Sequence, residues 1–191
     1  MSKSLLRTVL QPLGIAVGVA LAVRGAVHIY SIPSASMAPT LQAGDQIVVT
    51  RYFAGEPKRG DVIVFRSMTQ ADELLVKRVA AVPGDLIDSR LGRLRIGGYT
   101  VPEPYVMHPA TTGAIETQLV PAHCYYVLGD NREDSLDSRS WGFVPRENVV
   151  GRARLVLWSW PGSDGVARAL DEGSRRDGGS HRAGRLFKWV E

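Results

Sequence analysis

Two hydroxyl side chains stand close together in a segment whose backbone is restricted by proline. Ser34 and Ser36 lie in the run 32–41, between Pro33 and Pro39. A serine in such a segment can attack a carbonyl group when a neighbouring base accepts its proton. Without that base, the same residues are typical of a Pro/Ser linker, so the segment alone leaves both interpretations open.

The strand-like run 74–82 contains the residue best suited to be that base. Under strand alternation Lys77 shares one face with Leu75 and Val79, whereas Arg78 shares the other face with further apolar residues. Because both faces are apolar, at least one cation lies in low-dielectric surroundings, where burial lowers the pKa of a lysine while an arginine stays charged. Lys77 is therefore the candidate general base. The alternative is an edge strand whose cations reach water.

The histidines and the cysteine do not predict another base or a metal site. His28, His108, His123 and His181 are far apart and lack HxxxH spacing, so neither a histidine base nor a catalytic metal is expected. The single cysteine, Cys124, excludes an internal disulfide and any multi-cysteine metal site. It falls in a predicted buried strand, which is typical of an inert core thiol. The sequence therefore predicts no metal and no cofactor.

A second polar segment, residues 129–142, lies between two apolar strand-like runs. Its charged residues of both signs are interleaved with serines, at Asp130, Arg132, Glu133, Asp134, Asp137 and Arg139. Such a segment is either a solvated turn or a salt-bridged brace that positions a site. Composition alone slightly favours the turn.

The 191-residue chain has room for one domain with a core, an N-terminal anchor and a tail. Residues 8–32 are largely apolar, and residues 5–23 alone would extend about 30 Å as a helix, enough to cross a bilayer core. Lys3 and Arg7 precede this run, which favours an N-terminus in the cytoplasm and a body outside. A cleaved signal peptide and a buried core helix are the alternatives. A retained anchor is expected because no clear small-x-small cleavage site follows closely.

The remaining pattern is that of a mainly β protein. Short β-branched runs separated by Gly, Pro and Asp predict an antiparallel sandwich or barrel-like domain. Gly97-Gly98, between two such runs, predicts a hairpin. The net charge is +4 without a basic stripe, so nucleic acid is not an expected partner.

Four sequence blocks, in order behind the apolar run, resemble those of signal peptidase I. This family consists of membrane-anchored Ser/Lys endopeptidases that remove signal peptides from exported proteins, and the resemblance covers the whole chain. The blocks are residues 33–41 with Gly44-Asp45, residues 59–65, residues 77–85, and Gly129-Asp130-Asn131-Arg132 through Asp137-Ser138-Arg139 to Pro145. Together they are highly specific.

The resemblance implies a role for each matching residue. Ser36 is the expected nucleophile and Lys77 the general base, while the Ser36 backbone N–H and the Ser34 hydroxyl form the oxyanion hole. Ser135 is expected to orient Lys77. The expected brace consists of Asp137 with Arg139, supported by Asp130 and Arg132. The pockets for small substrate side chains, which select Ala-x-Ala sites, are expected to be lined by Ile32, Met37, Leu41 and Val76.

The resemblance also implies an organisation and a location. We expect a cytoplasmic N-terminus and transmembrane helix (1–32), a catalytic core in two parts (33–91 and 125–161), a small inserted region (92–124) and a Gly/Arg-rich tail with a C-terminal docking segment (162–191). The catalytic domain is expected on the outer face of the cytoplasmic membrane. Expected partners are preproteins that carry signal peptides, and membrane lipid.

Three alternatives to this interpretation stay open. A specialised peptidase of the same family, acting for example on pilins of conjugation systems, would have the same blocks. A soluble Ser/Lys autoprotease of the SOS-repressor type would lack the anchor, and a silent β module displayed at the membrane would lack activity.

The sequence departs from the family pattern at Glu133-Asp134, where the family usually has Asp-Asn. An added carboxylate near Lys77 would favour the charged form of the lysine.

Overall fold

The computed structural model describes residues 10–53, 55–70, 72–106, 108, 112–159 and 187–190. These residues form two antiparallel β-sheets, which confirms the predicted mainly β, antiparallel fold. In chain order the elements are α1 (Gln11–Ala26), β1 (Val27–Ser31), β2 (Asp45–Thr50), β3 (Val62–Arg66), β4 (Leu74–Ala81), β5 (Leu86–Arg90), β6 (Arg93–Ile96), β7 (Tyr99–Thr100), β8 (Gln118–Leu119), β9 (Cys124–Leu128), α2 (Ser138–Trp141), β10 (Val144–Pro145), a 3-10 turn (Arg146–Asn148), β11 (Val149–Ser159) and β12 (Lys188–Trp189).

The larger sheet runs in the order β1-β2-β11-β3-β4-β9-β10, with β12 paired to β11. In β2 every second residue is buried, as expected for a strand with one face on the core. In β4, which lies between β3 and β9, residues 77–81 are all buried. Both cations predicted on this strand, Lys77 and Arg78, are therefore in the interior, with only 4% and 2% of their surfaces exposed.

The core of the larger sheet divides into two groups of apolar side chains around these strands. One group joins the segment before β2 to the sheet, through Ile32, Met37 and Leu41 packed with Ile47 and Val49. The other fills the space around β3, β4 and β9 with Ile63, Phe65, Val79, Tyr125 and Val127. The segment that carries Ser36 is thereby fixed to the sheet by buried side chains on both sides of the serine.

The smaller sheet has the order β7-β6-β5-β8. The predicted Gly97-Gly98 hairpin joins β6 and β7, and both glycines have positive φ values, 58° and 84°. The sheet begins at Leu86, six residues before the start of the predicted inserted region. Strand β5 was not expected from the sequence because Asp88 and Arg90 interrupt its apolar pattern. Asp88 is paired with Arg95 of β6, with Oδ1 accepting a hydrogen bond from Nε at 2.5 Å.

The helix α1 has 16 residues, all of which lie within the predicted anchor. It ends at Ala26, and residues 27–31, which the sequence assigned to the anchor, form β1 and pair with β2. Residues 1–9 of the predicted anchor lie outside the described residues. In the part of the chain that is described, no helix is both long enough and apolar enough to cross a membrane.

The C-terminal docking segment predicted at residues 186–190 is described from residue 187 onward. Lys188 and Trp189 form β12 and pair with Val156 and Leu155 of β11. Val190 is 7% exposed and joins the core group of the larger sheet. The Gly/Arg-rich tail predicted at residues 162–185 lies outside the described residues.

Candidate active site

The fold brings Ser36 and Lys77 together from positions 41 residues apart. The Nζ atom of Lys77 lies 2.6 Å from Oγ of Ser36, within hydrogen-bond distance. Ser36 lies in a turn between β1 and β2 that is held by backbone hydrogen bonds from Ala38 N to Ala35 O and from Leu41 N to Met37 O, both 2.9 Å. Lys77 extends from the middle of β4, so a buried strand and a packed turn fix the two functional atoms relative to each other.

The environment of Lys77 favours its neutral amine. Burial is the main cause that lowers the pKa of Lys77 below its ordinary value, and the nearby Arg139 guanidinium acts in the same direction. The carboxylates of Asp137, Asp130 and Asp134 act in the opposite direction without reversing the shift. The amine can therefore lose its proton at a lower pH than a lysine in water does.

The hydroxyl of Ser34 lies on the exposed side of the nucleophile candidate. Its Oγ is 3.3 Å from Ser36 Oγ. A hydroxyl in this position can donate a hydrogen bond into the space next to Ser36, where negative charge would develop on a carbonyl oxygen under attack. The expected pairing of Ser34 with Ser36 in one small site is consistent with this distance.

The polar loop, residues 129–142, packs directly against the Ser36 turn. Asn131 N donates to Ser36 O at 3.1 Å, and Asn131 Nδ2 lies 3.3 Å from Ala35 O. Gly129 is buried so close to both parts that a Cβ atom there would overlap the Ser135 side chain and the Ser36 carbonyl oxygen. The polar loop is therefore a brace and not a solvated turn, contrary to the slight preference from composition.

Asp137 is the centre of hydrogen bonding within the polar loop. Its fully buried carboxylate accepts from Gly129 N at 3.0 Å and from the Ser135 hydroxyl at 2.8 Å. The Arg139 guanidinium donates to both Asp137 oxygens, at 2.7 and 2.8 Å. Ser135, expected to orient Lys77, thus donates its hydroxyl hydrogen to Asp137. The predicted pairing of Asp137 with Arg139 is present.

Arg78 is a site residue for which the sequence predicted no role. Its guanidinium forms two hydrogen bonds of 2.8 Å to the Asp130 carboxylate, and both side chains are buried. Its Nη1 donates to Gly60 O at 2.8 Å. Arg78 therefore ties the strand of Lys77 to the start of the polar loop. Strand alternation indicated that at least one cation would be buried, and the position of Arg78 inside a matching block was the signal for its role.

The four residues expected to line the substrate pockets pack together. Ile32, Met37 and Leu41 belong to one buried group, and Val76 packs against it. Met37 and Leu41 are 1% and 0% exposed, so their side chains are enclosed within this group. A metal-binding group of His, Cys, Asp and Glu side chains was not found among the described residues.

Comparisons with known proteins show the family to which the chain belongs. A family model described as signal peptidase, peptidase S26, matches residues 5–158. A signal peptidase I from Leptolyngbya laminosa is 38% identical over 160 residues, which cover 78% of this chain and 78% of that protein. A signal peptidase I from Pseudomonas fluorescens is 33% identical over 184 residues, which cover 69% of this chain and 65% of that protein.

A crystal structure of a signal peptidase I from Enterococcus faecalis V583 is also similar, with 31% sequence identity and a TM-score of 0.46, and the match covers 51% of this chain and 97% of that one. The family model matches well over half of the chain, and the relative from Leptolyngbya laminosa matches over most of both lengths. On these two findings, the chain belongs to the signal peptidase family, peptidase S26.

Proposed function

We propose that this protein is a signal peptidase I, a serine endopeptidase that removes N-terminal signal peptides from exported preproteins, with Ser36 as nucleophile and Lys77 as general base. The observation that carries the proposal is the 2.6 Å separation between Lys77 Nζ and Ser36 Oγ, with Lys77 4% exposed. Burial lowers the pKa of Lys77, which makes it suited to accept a proton.

In the first half of the reaction, the Ser36 hydroxyl donates its proton to the neutral Lys77 amine as Oγ attacks the scissile carbonyl carbon. The carbonyl oxygen becomes an oxyanion, which the Ser36 backbone N–H and the Ser34 hydroxyl stabilise. Donors that are already in place stabilise such charge without reorganisation, and each contributes about 3 kcal/mol in comparable sites. The Ser34 Oγ, 3.3 Å from Ser36 Oγ, is near enough to serve the same carbonyl group.

In the second half, the protonated Lys77 gives its proton to the leaving amine as the carbon–nitrogen bond breaks. The signal peptide then remains attached to Ser36 as an ester. A water molecule transfers a proton to Lys77 and attacks this ester, and the released serine oxygen regains a proton from Lys77. A single base thus serves both steps.

The supporting residues keep the two reacting atoms in place. Asp137 binds the Gly129 N–H and the Ser135 hydroxyl, and Arg139 binds both Asp137 oxygens. Asp130 and Arg132 extend this brace to Arg78 and to the Gly129 carbonyl oxygen. Ser135 influences Lys77 by helping to fix the position of Asp137, whose negative charge raises the pKa of Lys77.

The packed apolar group that includes Met37, the residue after Ser36, supports a preference for small side chains on the substrate. Ile32, Met37 and Leu41 are buried and packed against Val76 and the sheet. A large substrate side chain would have to displace these packed atoms, which costs about 1–3 kcal/mol in protein interiors. We infer cleavage after small-x-small sequences such as Ala-x-Ala.

We also propose that residues 5–26 anchor the protein in the cytoplasmic membrane in a single pass, with the catalytic domain on the outer face. Leu13, Ile15 and Val17 of α1 are each at least half exposed, as in a helix whose apolar side chains meet lipid. Lys3 and Arg7 precede the apolar run, which favours a cytoplasmic N-terminus.

The test is a cleavage assay with purified full-length protein in detergent and a preprotein that carries an Ala-x-Ala site. Wild type is expected to cut once, after that site, while folded Ser36→Ala and Lys77→Ala are inactive. Folding of each variant is checked by circular dichroism and thermal unfolding. Near wild-type activity in either variant would refute the role assigned to that residue, and an inactive wild type would refute the proposed activity.

A further inference from the structure

Three residues in the segment between β7 and β8 of the smaller sheet contact the active site, and the proposed reaction does not use them. Glu103 and Tyr105 follow β7, and Thr112 lies before β8. We call these three the bracket residues. They contact three arginines, namely Arg78, which is next to Lys77 in β4, and Arg132 and Arg139 of the polar loop.

Glu103 holds the most deeply buried of the polar loop's guanidinium groups. Its two oxygens accept from Arg132 Nη2 at 2.5 Å and from Arg132 Nη1 at 3.1 Å. The side chains of Arg132 and Glu103 are 1% and 10% exposed. The third nitrogen of the guanidinium, Nε, donates to Gly129 O at 2.9 Å. Arg132 therefore connects Glu103 to the glycine that packs against Ser36 and Ser135.

Thr112 contacts two of the arginines at once. Its hydroxyl oxygen accepts from Arg132 Nη1 at 2.5 Å, and its carbonyl oxygen accepts from Arg139 Nη1 at 3.0 Å. Thr112 is itself 2% exposed, and its N–H donates to Gly92 O at 3.0 Å in the turn between β5 and β6. The smaller sheet is thus hydrogen bonded to both ends of the segment that contains Asp137.

Tyr105 completes the contact on the side of β4. Its ring lies 3.9 Å from the guanidinium carbon of Arg78, the residue next to Lys77, in a cation–π arrangement. Its hydroxyl lies 3.3 Å from Glu103 Oε1. Glu103 therefore contacts both Arg132 and Tyr105, and Tyr105 in turn contacts Arg78.

We propose that Glu103 is a positioning residue for the peptidase reaction, acting through Arg132 on the Gly129 segment that fixes Ser36 and the polar loop. Without the Glu103 charge, the buried Arg132 guanidinium has lost its ion-pair partner and moves toward water or another acceptor. The Gly129 carbonyl oxygen then loses its fixed donor. A shift of the nucleophile by a fraction of an ångström lowers the rate of the chemical step, whereas the packed group of Ile32, Met37 and Leu41 stays in place.

The inference rests on the proposed function, and the experiment separates the two. Full-length wild type, Ser36→Ala, Glu103→Gln and Asp88→Asn are compared in steady-state cleavage of the same preprotein, with activity expressed per folded molecule. Asp88→Asn is the matched control because it neutralises a 9%-exposed carboxylate paired with Arg95 in the same sheet. We expect Glu103→Gln to lower kcat about tenfold with KM changed less than about twofold, and Asp88→Asn to leave both within about twofold of wild type.

Three further variants test the route and guard against a folding defect. In an Arg132→Gln background, adding Glu103→Gln is expected to lower kcat less than about twofold further, because both substitutions break the same connection. Thr112→Val, which removes only the hydroxyl bonded to Arg132, is expected to lower kcat about threefold in a protein that folds like wild type.

A kcat for Glu103→Gln equal to that of Asp88→Asn would overturn the inference, as would a change confined to KM or additive effects of Glu103→Gln and Arg132→Gln. If Glu103→Gln does not fold, an unchanged kcat in Thr112→Val would overturn it. An inactive wild type, or a Ser36→Ala variant that cleaves like wild type, would instead refute the proposed function.

Discussion

Replacement of Gly129 by alanine tests whether close packing of the polar loop positions the nucleophile. The added Cβ would lie 2.5 Å from the Ser36 carbonyl oxygen and from Ser135 Cβ, and would overlap the Ser135 hydroxyl. Carbon and oxygen atoms in contact are normally more than 3 Å apart, so the loop and the Ser36 turn must separate by about 0.5–1 Å. The requirement for glycine is one of space, since the neighbours leave no room for a methyl group.

This separation predicts two effects of different size. Overpacking of a buried site costs about 1–3 kcal/mol of stability, which leaves an ordinary domain folded. Displacement of a nucleophile by about 1 Å lowers the rate by about a hundredfold. Gly129→Ala is therefore expected to retain its fold and its KM while kcat falls about a hundredfold.

The assay is steady-state cleavage of an Ala-x-Ala preprotein together with chemical denaturation. Gly151→Ala in β11 is the matched control, because its Cβ would lie 2.5 Å from Thr50 O and 2.8 Å from Val49 Cγ1, and none of its three nearest atoms belongs to Ser36, Lys77 or the polar loop. The control is expected to lose stability and to keep its kcat per folded molecule within about threefold. Equal losses of kcat in the two variants, or a fully active Gly129→Ala, would refute the reasoning.

Two further predictions concern charges around Lys77. The Asp134 carboxylate raises the pKa of Lys77, so Asp134→Asn is expected to lower that pKa further and move the acidic limb of the kcat/KM profile to lower pH. Glu133→Gln, at the neighbouring exposed carboxylate, serves as the control. An acidic limb that stays in place or moves to higher pH in Asp134→Asn would contradict the prediction. Asp130→Asn leaves the buried Arg78 without its carboxylate partner and is expected to cost about 3–5 kcal/mol in denaturant unfolding. Arg59→Gln is the control, because it removes the 44%-exposed partner of Asp85 and keeps the hydrogen bond from Val82 N to Asp85, and it should cost less than about 1 kcal/mol. Similar costs would argue against a buried ion pair.

The sequence predicted the main sheet well because its strands are dense in β-branched residues. The runs at residues 62–65, 74–82 and 149–160 correspond to β3, β4 and β11 within one residue at each end. Strand β5 escaped prediction because its stability comes from pairing that only the fold creates, in particular the ion pair of Asp88 with Arg95. Residues 27–31 resemble the end of an apolar anchor, and pairing with β2 makes them a strand.

The site was predictable in its parts and not in its connections. Alternation along β4 indicated that at least one of Lys77 and Arg78 is buried, and the resemblance of four blocks indicated Ser36 as the partner of Lys77. The contact between them spans 41 residues and depends on the packing of Met37 and Leu41, which no local pattern contains. The contacts of Glu103 and Thr112 with Arg132 were likewise invisible, because isolated Glu and Thr residues in a Pro-rich segment are typical of solvated loops.

The pH dependence of kcat/KM tests whether a neutral Lys77 serves as the base for Ser36. Burial lowers the pKa of Lys77, so the group releases its proton more readily in the folded protein than in water. Activity must then rise with pH along a limb whose midpoint lies below 10.5, the ordinary value for a lysine, and fall as pH decreases through that midpoint. A midpoint at or above 10.5, or the same limb in a residual activity of Lys77→Ala, would contradict the account.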